Sequence, residues 1–177
     1  MRKFLTGAIA SLALLTTAAI AEDNADKFYN YEAGQWLVEG FKGELSFCAA
    51  TTFWKNDSYV SFFVTADDTA SILVHNTEWN IGDPVGHYNG YKATLRFFGK
   101  YPGEQGTIDY TLKDTQTVVL ENVNVEFLKD WVKFDTMVLL MPGDIGQMTI
   151  GLSGTSDAVD HLGECLNQLS SKPGTNL

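Results

Sequence analysis

The residues best able to do chemistry in this chain are two cysteines, three histidines and a few carboxylates grouped near aromatic side chains. Cys48 and Cys165 are the only thiols. A nucleophilic cysteine needs a cationic neighbour to hold its thiolate, and neither stands in a basic cluster, so a structural disulfide is the expectation. The histidines His75, His87 and His161 are scattered. A zinc site draws two or three ligands from close spacing, and no His-Glu-x-x-His run exists. His75 and His87 can meet Asp83 only across a loop, and His161 with Asp157 forms an i, i+4 pair that serves as a local helix stabiliser.

Other catalytic patterns fare no better. Gly151-Leu152-Ser153-Gly154 lacks the spacing of a nucleophile elbow and reads more simply as a strand end leading into a helix. Asp67 and Asp68 sit among turn formers. A glycosidase needs two carboxyls facing across a cleft, which linear order does not reveal. The glycines are dispersed and cradle no phosphate. No cofactor and no metal is expected. The best candidate ligand-binding group is Trp79, Asp83, His87 and Tyr88, within a long irregular interval from Asn76 to Gly90 that also holds Gly82, Pro84 and Gly86. Trp79 suits a sugar-stacking platform there, although large aromatics also serve as core payload.

The elements that must position these residues are mostly strands. Tyr91, Ala93, Leu95 and Phe97 alternate with Lys92, Thr94 and Arg96; Ile108, Tyr110 and Leu112 do the same, as do Met148, Ile150 and Leu152. Such period-two patterns mark strands with one buried face. Runs over 36–38, 45–53, 59–64, 72–75, 117–121 and 137–141 are rich in aromatic and β-branched residues and read as further strands. The spacers are too short for crossover helices, which favours antiparallel neighbours in a β-sandwich or meander. A short helix is expected near 125–132, with Asn124 as its cap. A longer one over 156–169 places Val159, Leu162, Cys165, Leu166 and Leu169 on one face, with Thr155 and Ser156 as capping candidates. A disulfide to Cys48 would tie that helix to an early strand.

Compartment follows from the N-terminus. Met1-Arg2-Lys3 precedes an uncharged apolar stretch ending at Ala19-Ile20-Ala21, which fits a signal peptide over 1–21 cleaved after Ala21. A retained anchor is the minor alternative, because the run is short for spanning. The expected layout is then a linker over 22–34, one β-rich domain over 35–170 and a flexible tail over 171–177. Removing Arg2 and Lys3 takes the net charge from −10 to about −12. That balance disfavours nucleic acid and anionic membrane, and suits a solvated surface or a cationic partner. An outer-membrane barrel is disfavoured by the terminal helix and by strands shorter than ~9 residues.

The closing run Met148-Thr149-Ile150-Gly151-Leu152-Ser153-Gly154, leading into Ala158, Val159 and Leu162, resembles the final strand, glycine turn and helix of invasion-associated locus B proteins. The order before it is similar: a strand at 106–112, a further strand, a short Phe127-Leu128-Lys129 helix and a strand at 137–141, with Trp36 and Cys48 near the mature start. The chain departs from that family in having no cysteine between Cys48 and Cys165. The resemblance implies a small secreted all-β envelope protein; in that family some members are associated with host-cell entry, and none has an established active site. Only fold and compartment carry over.

Two functions therefore stand as expectations. The first is a non-catalytic periplasmic or secreted module that binds a protein or glycan partner in the cell envelope, an acidic inhibitor of a cationic envelope enzyme being a special case. The second is a cell-wall or carbohydrate hydrolase with its site around the 76–90 loop.

Overall fold

The computed structural model describes residues 26–54, 56–67, 69–81, 91–99, 103–124, 127–128, 131–142 and 146–170. Among the described residues ten strands form one antiparallel sheet: β1 (Asp26–Ala33), β2 (Trp36–Lys42), β3 (Phe47–Phe53), β4 (Tyr59–Thr65), β5 (Ala70–His75), β6 (Tyr91–Phe98), β7 (Gln105–Leu112), β8 (Thr117–Val123), β9 (Thr136–Leu140) and β10 (Gln147–Gly151). The spatial order is β1-β2-β3-β4-β5-β8-β7-β6-β9-β10. The first five strands are a meander. The chain then leaves β5 for β6, returns through β7 and β8 to lie against β5, and adds β9 and β10 beyond β6. The result is mainly β with a C-terminal helix (Thr155–Ser170) packed on β1, β2 and β3. The expected mainly β, antiparallel fold with a C-terminal helix on the sheet is found, with a meander over β1 to β5 and a non-sequential order beyond it.

Period two decides which residues meet. Val38, Ala50 and Phe62 oppose one another across β2, β3 and β4, and all are buried. Ala93, Leu95 and Phe97 on β6 are buried while Lys92 and Arg96 face water, the alternation the sequence shows. The interior is crossed by an aromatic chain. Trp36 stacks on Phe62 with ring centroids 5.1 Å apart, Phe62 meets the edge of Trp131 at 4.2 Å, and Trp131 lies 5.8 Å from Phe97. Pairs of this kind stabilise by about 0.5–1.5 kcal/mol each beyond their buried area. Phe127, Leu128 and Trp131 are helical, within the expected 125–132 segment.

The two ends of the sheet order approach each other through side chains. Gln35 Nε2 donates to the Gly151 carbonyl at 2.9 Å, and Trp36 Nε1 donates to the Ser153 carbonyl at 3.1 Å. Gly154 then turns the chain into the helix with a φ of +80°, and a Cβ there would lie 3.1 Å from the Ala33 carbonyl oxygen. Only glycine meets both conditions without strain. The Thr155 hydroxyl donates back to the Leu152 carbonyl and is buried, so it fastens the turn rather than capping the helix.

Cys48 on β3 and Cys165 on the helix are wholly buried, with sulfurs at bonding distance and Cα atoms 6.1 Å apart. The helix is thereby fastened to the sheet through its apolar face, which buries Ala158 and Leu162 one and two turns from Thr155.

One expectation fails at the N-terminus. Residues expected within a linker over 22–34 include β1, which pairs with β2 from Asp26↔Lys42 to Ala33↔Trp36. Its sequence, Asp26-Lys-Phe-Tyr-Asn-Tyr-Glu-Ala33, shows no clean alternation because it is an edge strand, mostly exposed and anchored by its inward-facing aromatics. Residues 1–21 and 171–177, read as signal peptide and tail, lie outside the described residues.

Candidate functional site

Of the four residues singled out for ligand binding, Trp79 is 6% exposed and belongs to the core. It offers no surface platform. The Asn76 carbonyl accepts its backbone N–H at 3.0 Å, and two residues later Ile81 N–H donates to the Thr115 carbonyl at 2.8 Å. Trp79 and Ile81 are both buried and extend the core beyond the end of β5. Asp83, His87 and Tyr88 lie outside the described residues. His75 is held elsewhere: its Nδ1 is 2.9 Å from Thr117 Oγ1 on the neighbouring strand, and its ring stacks on Tyr59 with centroids 5.1 Å apart.

A different opening is present in the sheet. β7 pairs with β6 along most of its length, from Tyr91↔Tyr110 to Arg96↔Gln105. On its other edge it pairs with β8 over only Tyr110↔Leu120, Thr111↔Val119 and Leu112↔Val118. Extending that register would match Asp109, Ile108 and Thr107 with residues 121 to 123, and no such ladder forms. β8 instead follows β5 through a shift in register, ending at Ala70↔Val123. The two strands therefore diverge below Tyr110, and the first three residues of β7 are exposed although the strand lies well inside the sheet order.

A cavity of about 310 Å³ occupies the divergence. Leu95, Phe97, Ile108, Val123 and Phe127 line it, together with the polar Glu104, Gln105, Thr107 and Asn124. Its size falls at the lower end of small-ligand sites, which combine apolar walls with a few polar groups. Gly106 also lines it, and a Cβ added at Gly106 would have no heavy atom within 4 Å.

A second constellation joins β1 to the helix. The Tyr29 hydroxyl donates to Glu164 Oε2 at 2.9 Å and lies 2.8 Å from His161 Nδ1. Because its one proton goes to the carboxylate, its oxygen accepts from an Nδ1–H, a tautomer assigned from the network. His161 Nδ1 is also 3.0 Å from Glu164 Oε2, its Nε2 is 3.7 Å from Asp157, and Tyr31 stacks on its ring at 3.3 Å. Burial, followed by the hydrogen bond to Glu164, pushes the Tyr29 hydroxyl up to about 12. The helix spacing of Asp157 and His161 was legible from sequence; Tyr29, Tyr31 and Glu164 were not, since their approach depends on where β1 lies. The group works as a clasp holding the edge strand to the helix.

Among the described residues no set of His, Cys, Asp and Glu is arranged to hold a metal ion, and no helix is long and apolar enough to cross a membrane. No family model, curated protein or solved structure matches this chain.

Proposed function

We propose that this protein is an exported, disulfide-closed module that acts outside the cytoplasm by binding a partner in the cell envelope, in keeping with its resemblance to invasion-associated locus B proteins. The observation that carries the binding reading is the divergence of β7 from β8, which leaves an apolar cavity open between two strands of an otherwise continuous sheet. Sheets normally close such gaps, because unpaired strand edges invite association. The buried Cys48–Cys165 pair supports an oxidising compartment, where such bonds persist. The net charge of −10 supports a cationic partner, whose approach it would accelerate.

The test is affinity capture from envelope fractions at low ionic strength. This reading expects one stoichiometric partner that added salt releases. Turnover of peptidoglycan or other glycans by the purified protein, with no captured partner, contradicts it and favours the hydrolase.

A further inference from the structure

We infer that the divergence between β7 and β8 accepts an extended, cationic peptide segment of the partner, which adds to the open edge of β7 and seats one large apolar side chain in the cavity. This rests on the reading of the chain as a binding module and names what it binds.

The backbone geometry indicates a strand-shaped occupant. In antiparallel pairs, residues that exchange hydrogen bonds with a neighbour alternate with residues that do not. Phe97 N–H donates to the Glu104 carbonyl at 2.9 Å, which places 97 and 104 among the bonded pairs. By alternation, the pairs Leu95↔Gly106 and Ala93↔Ile108 also bond to β6. The N–H and C=O groups of Gln105, Thr107 and Asp109 then point the other way, toward the position β8 has vacated. Thr111, two residues further on, faces the same way and does meet β8, at Val119. An extended peptide laid in the gap continues that ladder and satisfies these groups, a recurring mode of peptide recognition.

The side-chain pattern agrees. Residues facing the interior beside the gap, Leu95, Phe97, Ile108 and Phe127, are apolar, and Gly106 leaves space above them. A strand added here presents alternate side chains to that pocket and to solvent. A free acyl chain would fill the cavity but leave the edge groups of β7 unmatched. The overall charge of −10 favours lysine or arginine at the outward positions of the peptide.

The probe is a short synthetic peptide alternating lysine and valine around a central phenylalanine, titrated into the full mature protein by calorimetry. Controls are the same peptide with proline at its centre, and dodecanoate. Gly106→Trp fills the cavity from a position with open space, and Thr107→Pro removes an edge N–H while leaving the pairing with β6 intact; unchanged thermal midpoints show that both variants fold. The inference expects saturable binding by the alternating peptide, weakened about tenfold or more by either substitution and by the central proline. Slowed amide exchange at Thr107 and Asp109 in the complex is expected as well. It is overturned if the peptide fails to bind, if neither substitution weakens it, or if dodecanoate binds and the peptide does not. Envelope capture that survives both substitutions overturns this site while leaving the binding module standing; peptide binding without any envelope partner does the reverse.

Discussion

Gly40 lies directly across from Cys48 on the neighbouring strand, and the Cys165 sulfur occupies the space that a side chain at position 40 would need. A Cβ there would be 2.5 Å from Cys165 Sγ and 2.6 Å from the Phe28 ring. Gly40→Ala is therefore expected to destabilise by about 1–3 kcal/mol through overpacking. Gly163 on the helix is the control, since a Cβ there meets nothing within 4 Å. Gly163→Ala is expected to stabilise by roughly 0.5–1 kcal/mol, and urea unfolding of the two variants checks the opposite signs.

Joining residues 117 apart removes much of the unfolded chain's freedom. Replacing both cysteines by alanine is expected to cost on the order of 4 to 5 kcal/mol on the chain-entropy model. Denaturant midpoints of wild type with and without reductant, compared with the double variant, measure this. Equal midpoints under oxidising conditions would show that no disulfide fastens the helix to the sheet.

The clasp on β1 predicts an alkaline transition. Tyr29 has a folded pKa of about 12, above the ordinary tyrosine value near 10, so the fold favours the neutral phenol. Its stabilising contribution is complete below about pH 10 and is lost as pH rises toward 12. Tyr59 and Tyr110 are also raised by burial, so the difference between wild type and Tyr29→Phe is the informative one. Ultraviolet titration is expected to lose one late-ionising tyrosine in the variant, and the alkaline loss of stability is expected to shrink with it.

Two buried tryptophans differ in their polar end. Trp36 Nε1 donates to the Ser153 carbonyl, whereas Trp131 Nε1 has no hydrogen-bond partner among the described residues. Both rings are about equally buried, so Trp→Phe removes similar apolar volume at each. Trp36→Phe is expected to cost about 1 kcal/mol more, because it also abandons a satisfied bond and the carbonyl that received it. Paired thermal unfolding measurements check the ordering.

The fold was legible where one face meets water. Tyr91 to Phe97 and Met148 to Ile150 alternate because their strands separate core from solvent, and Ala158, Leu162 and Cys165 recur at helical spacing because one face of the helix is buried. β1 shows no strand pattern in sequence because an edge strand has few inward positions, here mainly Phe28, Tyr29 and Ala33. The candidate site was less legible. Trp79 looks like a surface aromatic among glycines, and only the three-dimensional path shows that it completes the core. The opening beside Gly106 depends on where two strands stop pairing, a property of register that neither strand's composition carries.

To act as proposed, the chain must have left the cytoplasm and closed its sheet covalently onto the terminal helix. Intact-mass measurement after alkylation under denaturing, non-reducing conditions, on protein recovered from the periplasm or medium of a bacterium expressing the full chain, tests both parts together. The predicted result is a polypeptide beginning at Glu22 that carries no alkylated cysteine. A chain that retains Met1, or one alkylated at both Cys48 and Cys165, would contradict it.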